Sequence, residues 1–165
     1  RIRGASNAAG ELGHIKLTYE GGPLCGCGDR GCLEAYASGP SIVAMAEEYI
    51  KGGKSTKYRE LANPEITPYI VAVAAKEGDP VAKQIFKIMG EYIGMGLVNV
   101  VNLLNPEKII IGGGVADAGD ILLDPIKDTI QRRAMTIQKE SVEVVPAQLG
   151  NTAGGIGASL LITQG

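Results

Sequence analysis

The chain contains no tryptophan, one phenylalanine and one histidine among its 165 residues. With aromatics this scarce, the interior has to be filled by aliphatic side chains and alanine. No apolar run approaches the ~18–20 residues of a membrane-spanning helix, and no secretory leader is read at the start. An excess of charge of one sign is missing too: acidic and basic residues are interspersed and the net charge is −2. That balance lacks the basic footprint of a nucleic-acid binder. The three cysteines are an odd number and include no CxxC pair. They fit neither a disulfide framework nor a thioredoxin-like redox site. The length is that of one domain with room for a hydrophobic core. A cytoplasmic protein with no membrane or nucleic-acid partner is expected.

What is present is concentrated. The single histidine, His14, lies just upstream of all three cysteines, Cys25, Cys27 and Cys32. Four soft-to-borderline donors match the coordination number of a structural zinc site. The first pair is C-x-C, tighter than the usual C-x2–4-C of zinc fingers. Glycines at 21, 22, 26, 28 and 31 ease that objection, because glycine accepts the sharp turns that gather close-spaced thiolates. A disulfide plus a spare thiol is the competing reading, though a Cys25–Cys27 ring would be strained. Four protein ligands leave no open position for an activated water, so the metal's part would be architectural. Glu11 lies three residues before His14 and Glu34 two residues after Cys32. A metal that clamps His14 to Cys32 brings these carboxylates together, as a pocket for several hydroxyls or as orienters of the metal ligands. Solvated surface charge is the plain alternative.

Along the chain, residues 15–19 read as a short strand ahead of the Gly/Cys loop. Helices are expected over 33–38 and 40–51, with Ser38 as a cap, then a polar loop over 52–65 ending in Asn63-Pro64. Two more helices follow at 66–77 and 80–104, the second opened by Asp79-Pro80 and closed by Asn105-Pro106. Lys108–Ile111 is a buried-strand candidate, Gly112–Gly114 a turn, 119–135 a helix, 141–145 a strand and 152–163 a final helix. This alternation predicts an α/β domain with a partly parallel sheet and ligands outside the carboxyl ends of its strands. The Gly112–Gly114 turn fits no dinucleotide or P-loop fingerprint. GNTAGGIGAS at 150–159 reads as close helix packing. Among Asp29, Asp79, Asp117, Asp120, Asp124 and Asp128, Asp79 is a cap and Asp29 a turn residue. None has the context of a catalytic base.

Taken together, AGELGH at 9–14, CGCGDRGCLEAYAS at 25–38, NPEKIIIGGGV at 105–115 and GNTAGGIGAS at 150–159 resemble the ROK family of repressors and sugar kinases. The closest likeness is to its bacterial glucokinase type. The C-x-C-G-x-x-G-C-x-E hallmark is complete from Cys25 to Glu34. The resemblance implies an actin-like, hexokinase-type fold of two α/β lobes with a sugar in the cleft. It implies zinc on His14, Cys25, Cys27 and Cys32, and sugar hydroxyls on Glu11, His14 and Glu34. The adenosine of ATP would lie against Gly112, Gly113 and Gly114. The implied reaction is transfer of the γ-phosphoryl of Mg·ATP to the 6-hydroxyl of a hexose, glucose first among candidates. A homodimer is the family tendency. The family's N-terminal phosphate loop and Asn-Asp pair, whose Asp is the general base, are not found in this sequence. Residues 1–165 are therefore expected to be a C-terminal lobe, with a zinc loop at 14–34 and an α/β core at about 66–165. Alone it is expected to be inactive, with no catalytic base of its own. A sugar-sensing transcriptional repressor of the same family is the alternative parent.

Overall fold

The computed structural model describes residues 2–62 and 65–162. Its spine is one long helix. Asp79 accepts the backbone N–H of Ala82 at 2.7 Å, and Pro80 fills the first turn, where a missing N–H costs nothing. The helix runs from Pro80 to Leu104, until Asn105 turns left-handed (φ 45°) ahead of Pro106. Its buried stripe includes Ile85, Phe86, Met89, Leu97 and Val101. The one phenylalanine is thus in the core, surrounded by the alanines and aliphatics that composition demands: Ala46, Ala74, Ala75, Val71 and Ile42 are fully buried.

Numbered along the chain, the helices are α1 (Leu33–Tyr36), α2 (Gly39–Lys51), α3 (Lys57–Leu61), α4 (Pro68–Lys76), α5 (Pro80–Leu104), α6 (Asp120–Arg133), α7 (Thr136–Ser141) and α8 (Ala153–Ile162). The strands are β1 (Lys108–Ile111) and β2 (Glu143–Pro146). They pair in parallel, Lys108 opposite Glu143 and Ile111 opposite Pro146, with an ion pair of 2.9 Å joining the first couple. Helix α6 makes the connection and packs closely along α5. A Cβ on Gly90 would stand 2.8 Å from Pro125, and one on Gly94 2.6 Å from Thr129. The pairings advance together along both chains, so α5 and α6 run in the same direction, as helices on one face of a parallel sheet do. No described helix is long and apolar enough to cross a membrane.

Most expected elements are present within a few residues of their predicted ends: 40–51, 66–77, 80–104, 108–111, 119–135, 141–145 and 152–163 correspond to α2, α4, α5, β1, α6, β2 and α8. Ser38 caps α2 through a reciprocal pair of bonds with Ser41. Four readings need correction. The strand Lys108–Ile111 is not buried: exposed and half-buried residues alternate along it, and Ile110 is 64% exposed. Residues 15–19 form no strand; among the described residues this segment makes a single bridge, Lys16 opposite Cys32, too short a pairing for a ladder. The 33–38 helix is a single turn ending at Tyr36. The 52–65 loop contains α3, anchored by Tyr58, which is fully buried and donates to the Ala46 carbonyl at 3.1 Å. A helix over Thr136–Ser141 precedes β2 and was not expected either. Asn63, Pro64 and Thr163 lie outside the described residues.

The α5–α6 contact yields a paired test. Gly94→Ala should lower stability by about 1–3 kcal/mol in urea unfolding, since the Thr129 Cβ sits close to its own backbone and cannot retreat. Gly157→Ala, where nothing lies within 4 Å, should raise it by roughly 0.5–1 kcal/mol through helix propensity alone.

Candidate metal centre and ligand face

The cysteine loop is a hairpin built by its glycines. Cys25 N–H donates to Asp29 O at 2.8 Å and Gly28 N–H to Cys25 O at 3.0 Å, which is a tight turn closed by a glycine at φ 90°. A turn followed by a left-handed glycine is a standard way to end a hairpin. It places Cys25 and Cys27 on one bend, and so answers the objection to C-x-C. Pro23 O accepts Gly31 N–H at 3.1 Å lower down, and Gly31 (φ 77°) leaves no room for a Cβ against Thr18. Cys32 follows as the residue before α1. On the far side of the cluster, Glu11 opens a single 3-10 turn, Leu12–His14, that delivers the imidazole.

The ligand atoms of His14, Cys25, Cys27 and Cys32 lie within 4.8 Å of one another. A tetrahedral zinc with bonds of about 2.3 Å to sulfur and about 2.0 Å to nitrogen has S···S edges of about 3.8 Å and S···N edges of about 3.5 Å. The Cys27–Cys32 sulfurs stand 3.7 Å apart, and Cys25 Sγ stands 3.7 Å from His14 Nδ1. The donor set therefore fits zinc. The Asp29 backbone N–H, the neighbouring thiols and the Lys16 charge hold the Cys27 thiol below its ordinary pKa. Cys25 stands above its own: the Cys27 backbone N–H works downward, but burial and the adjoining thiols outweigh it.

Nδ1 is the imidazole nitrogen turned to the sulfurs. Nε2 faces the opposite way, 3.8 Å from Glu11 Oε2. Glu34, on α1, brings Oε2 to 3.8 Å from Nδ1 and accepts from Cys25 Sγ at 3.7 Å. The side chains are 74% (Glu11), 38% (His14) and 53% (Glu34) exposed, so their common face opens to solvent. The three predicted ligand-face residues are together, and Glu34 is shared with the metal cluster. Helix α1 is seated on α5 by Leu33, whose Cδ2 is 2.6 Å from where a Cβ on Gly96 would be, and by a Tyr36–Tyr92 ring contact with centroids 4.5 Å apart.

The glycine turn lies elsewhere, at the carboxyl ends of β1 and β2. There Gly112, Gly113, Asp117, Ala147 and Gly150 line a cavity of about 140 Å³. Gly114 starts the 3-10 turn Gly114–Ala118 beside it. Of the aspartates weighed as bases, Asp79 is a buried cap bonded to Ala82 and Lys57, Asp29 pairs with Lys16 at 2.6 Å, and Asp128 pairs with Arg132. Lys16 was not singled out from sequence. Its ammonium also donates to Cys32 Sγ at 3.0 Å, a contact whose only advance sign is the alternation of Ile15, Lys16 and Leu17 opposite the cysteine.

Comparison with known proteins completes the picture. The ROK family model matches residues 1–165. The chain belongs to the ROK family. It is 40% identical to a glucokinase of Halalkalibacterium halodurans over 99% of this chain and 50% of that protein. The transcriptional repressor Mlc of Escherichia coli is 33% identical over 97% of this chain and 38% of its own. A crystal structure of a ROK family glucokinase from Streptomyces griseus, in complex with glucose and AMPPNP, aligns with a TM-score of 0.86 at 35% identity. That alignment covers 99% of this chain and 54% of the other. The chain spans about half the length of the curated glucokinases it matches. Its fold is the α/β, actin-like fold of the ROK sugar kinases, with a Cys/His cluster able to hold zinc.

The metal reading has a direct consequence. Purified protein should hold about one zinc per chain, and Cys27→Ser should lower both zinc content and melting temperature, because metal affinity in such a loop is folding free energy. A zinc-free protein, or an unchanged melting curve in the variant, would overturn it.

Proposed function

We propose that this chain is the zinc-bearing, C-terminal lobe of an ATP-dependent hexokinase of glucokinase type, acting in the cytoplasm as a homodimer. The observation that carries the reading is the two-sided imidazole: Nδ1 lies 3.7 Å from Cys25 Sγ with Glu34 beside it, and Nε2 lies 3.8 Å from the exposed Glu11 carboxylate. Zinc, when bound, is structural; it locks the hairpin to the 3-10 turn. The ligand face is then the work of the chain. Glu11 and Glu34 accept hydrogen bonds from sugar hydroxyls, and His14 Nε2–H donates one. Carboxylates spaced around a fixed donor suit a polyol far better than an apolar or anionic ligand.

Gly112, Gly113 and Gly114 serve the nucleotide. A site at the carboxyl ends of parallel strands is where open α/β sheets take ligands, and nothing lies within 4 Å of a Cβ placed on Gly113 or Gly114, so a ring could approach the backbone. Mg²⁺ would accompany the ATP phosphates. Phosphoryl transfer depends on positioning and on charge stabilisation at those phosphates, with a base to accept the hydroxyl proton. We assign that base to the part of the parent protein outside this chain, which spans 50% of the Halalkalibacterium halodurans glucokinase. A sugar-sensing repressor is the second reading, favoured by the kinship to Mlc and to the xylose repressor of Caldicellulosiruptor bescii, 32% identical over 98% of this chain.

With Mg·ATP and a panel of hexoses, the full-length protein should phosphorylate glucose with the highest kcat/KM, while residues 1–165 alone should show no turnover. Glu34→Gln should weaken hexose binding about 10–100-fold, the loss expected for one hydrogen bond to a charged acceptor. Operator binding released by sugar, without turnover, would assign the repressor role instead.

A further inference from the structure

Lys16 is the one lysine or arginine among the described residues that hydrogen-bonds to a sulfur of the cluster. Its position follows from local pairing. Leu17 N–H donates to Gly31 O at 2.8 Å and Leu33 N–H to Ile15 O at 2.9 Å, which makes Lys16 and Cys32 a non-hydrogen-bonded antiparallel couple. Such couples carry their side chains on the same face at the closest cross-strand spacing. The ammonium reaches Cys32 Sγ at 3.0 Å, Asp29 Oδ2 at 2.6 Å and Arg30 O at 3.2 Å. All three of its protons are thereby engaged.

The charge balance of the cluster gives this contact a purpose. Three thiolates and a neutral imidazole around a dication leave one net negative charge, and Glu11 and Glu34 add more on the open side. A cation donating to one thiolate offsets that charge and draws electron density from the sulfur. Hydrogen bonds to ligand atoms are known to tune metal affinity in this way. Cys32 is fully buried, so solvent cannot perform the same service for it.

We infer that Lys16 is a positioning residue for the metal: by donating to the Cys32 thiolate it supplies the compensating charge that raises affinity and slows metal loss. The inference rests on the four-ligand metal reading. The rival role is a brace, in which Lys16 merely ties the hairpin through Asp29 and Arg30.

The test uses the full chain loaded with Zn²⁺ or Co²⁺ against a competing chelator. Lys16→Met should raise the zinc Kd at least about tenfold. It should also move the thiolate-to-cobalt charge-transfer band to lower energy while the d–d bands keep tetrahedral intensity. Lys16→Arg should restore most of the affinity. Asp29→Asn, which keeps the lysine and frees its charge for the sulfur, should leave affinity near that of the unaltered protein. Unchanged affinity and band position in Lys16→Met would overturn the inference, and so would equal losses in Lys16→Met and Asp29→Asn, the signature of a brace. Failure of the unaltered protein to take up either metal would instead overturn the metal reading beneath it.

Discussion

Residues 2–30 bury only Cys25 fully and pack the half-buried Leu12 against the core, so apolar burial supplies little of the order of this long segment. It depends on three sulfurs and one imidazole nitrogen gathered within 4.8 Å. The hairpin 23–31, the 3-10 turn at 12–14 and the start of α1 converge on that point. Leu33 against Gly96 and Tyr36 against Tyr92 then hand the assembly to α5, where the hydrophobic core begins. The molecule therefore has two sources of cohesion, an aliphatic helix core and a ligand cluster, joined at a short helix.

That division explains why one histidine can serve two roles. A ring nitrogen fixed on a metal leaves the other nitrogen with a defined direction and a defined proton. Nε2 points to Glu11 while Glu34 reaches the same ring from α1, so the carboxylates are held by the elements that hold the ligands. A flexible loop with the same residues would have to order itself on each encounter with a ligand. In the proposed sugar site the ordering is separated from recognition. The turn proposed for the nucleotide shows the same economy: its small cavity is lined largely by glycines and small residues at the ends of two short parallel strands.

Much of this was legible in the sequence because it is local. The donor set uses every His and Cys of the chain within residues 14–32, and Asp79-Pro80 and Asn105-Pro106 bracket α5 by capping chemistry alone. What sequence could not reveal is tertiary. Helix α3 lies in a polar window whose one anchor, Tyr58, finds its partner twelve residues away at Ala46, and whose first N–H is taken by Asp79. Ile15–Tyr19 has strand composition, but a strand needs an edge to pair with, and the cysteine hairpin offers one bridge. Gly90 and Gly94 look like weaknesses in a helix until α6 is brought against them. The Lys16–Cys32 contact spans a fold-back that residue spacing does not announce.

The central claim is that one imidazole joins the metal cluster to the ligand face, and a chain with a single histidine allows an uncluttered measurement of it. In zinc-loaded protein labelled with ¹⁵N on the imidazole, two-dimensional NMR should show one ring with Nδ1 metal-bound and the proton on Nε2. That proton's resonance should move on addition of glucose while the Nδ1 signal stays nearly fixed. A ring bound through Nε2, or one that titrates freely with pH in the presence of zinc, would contradict the account.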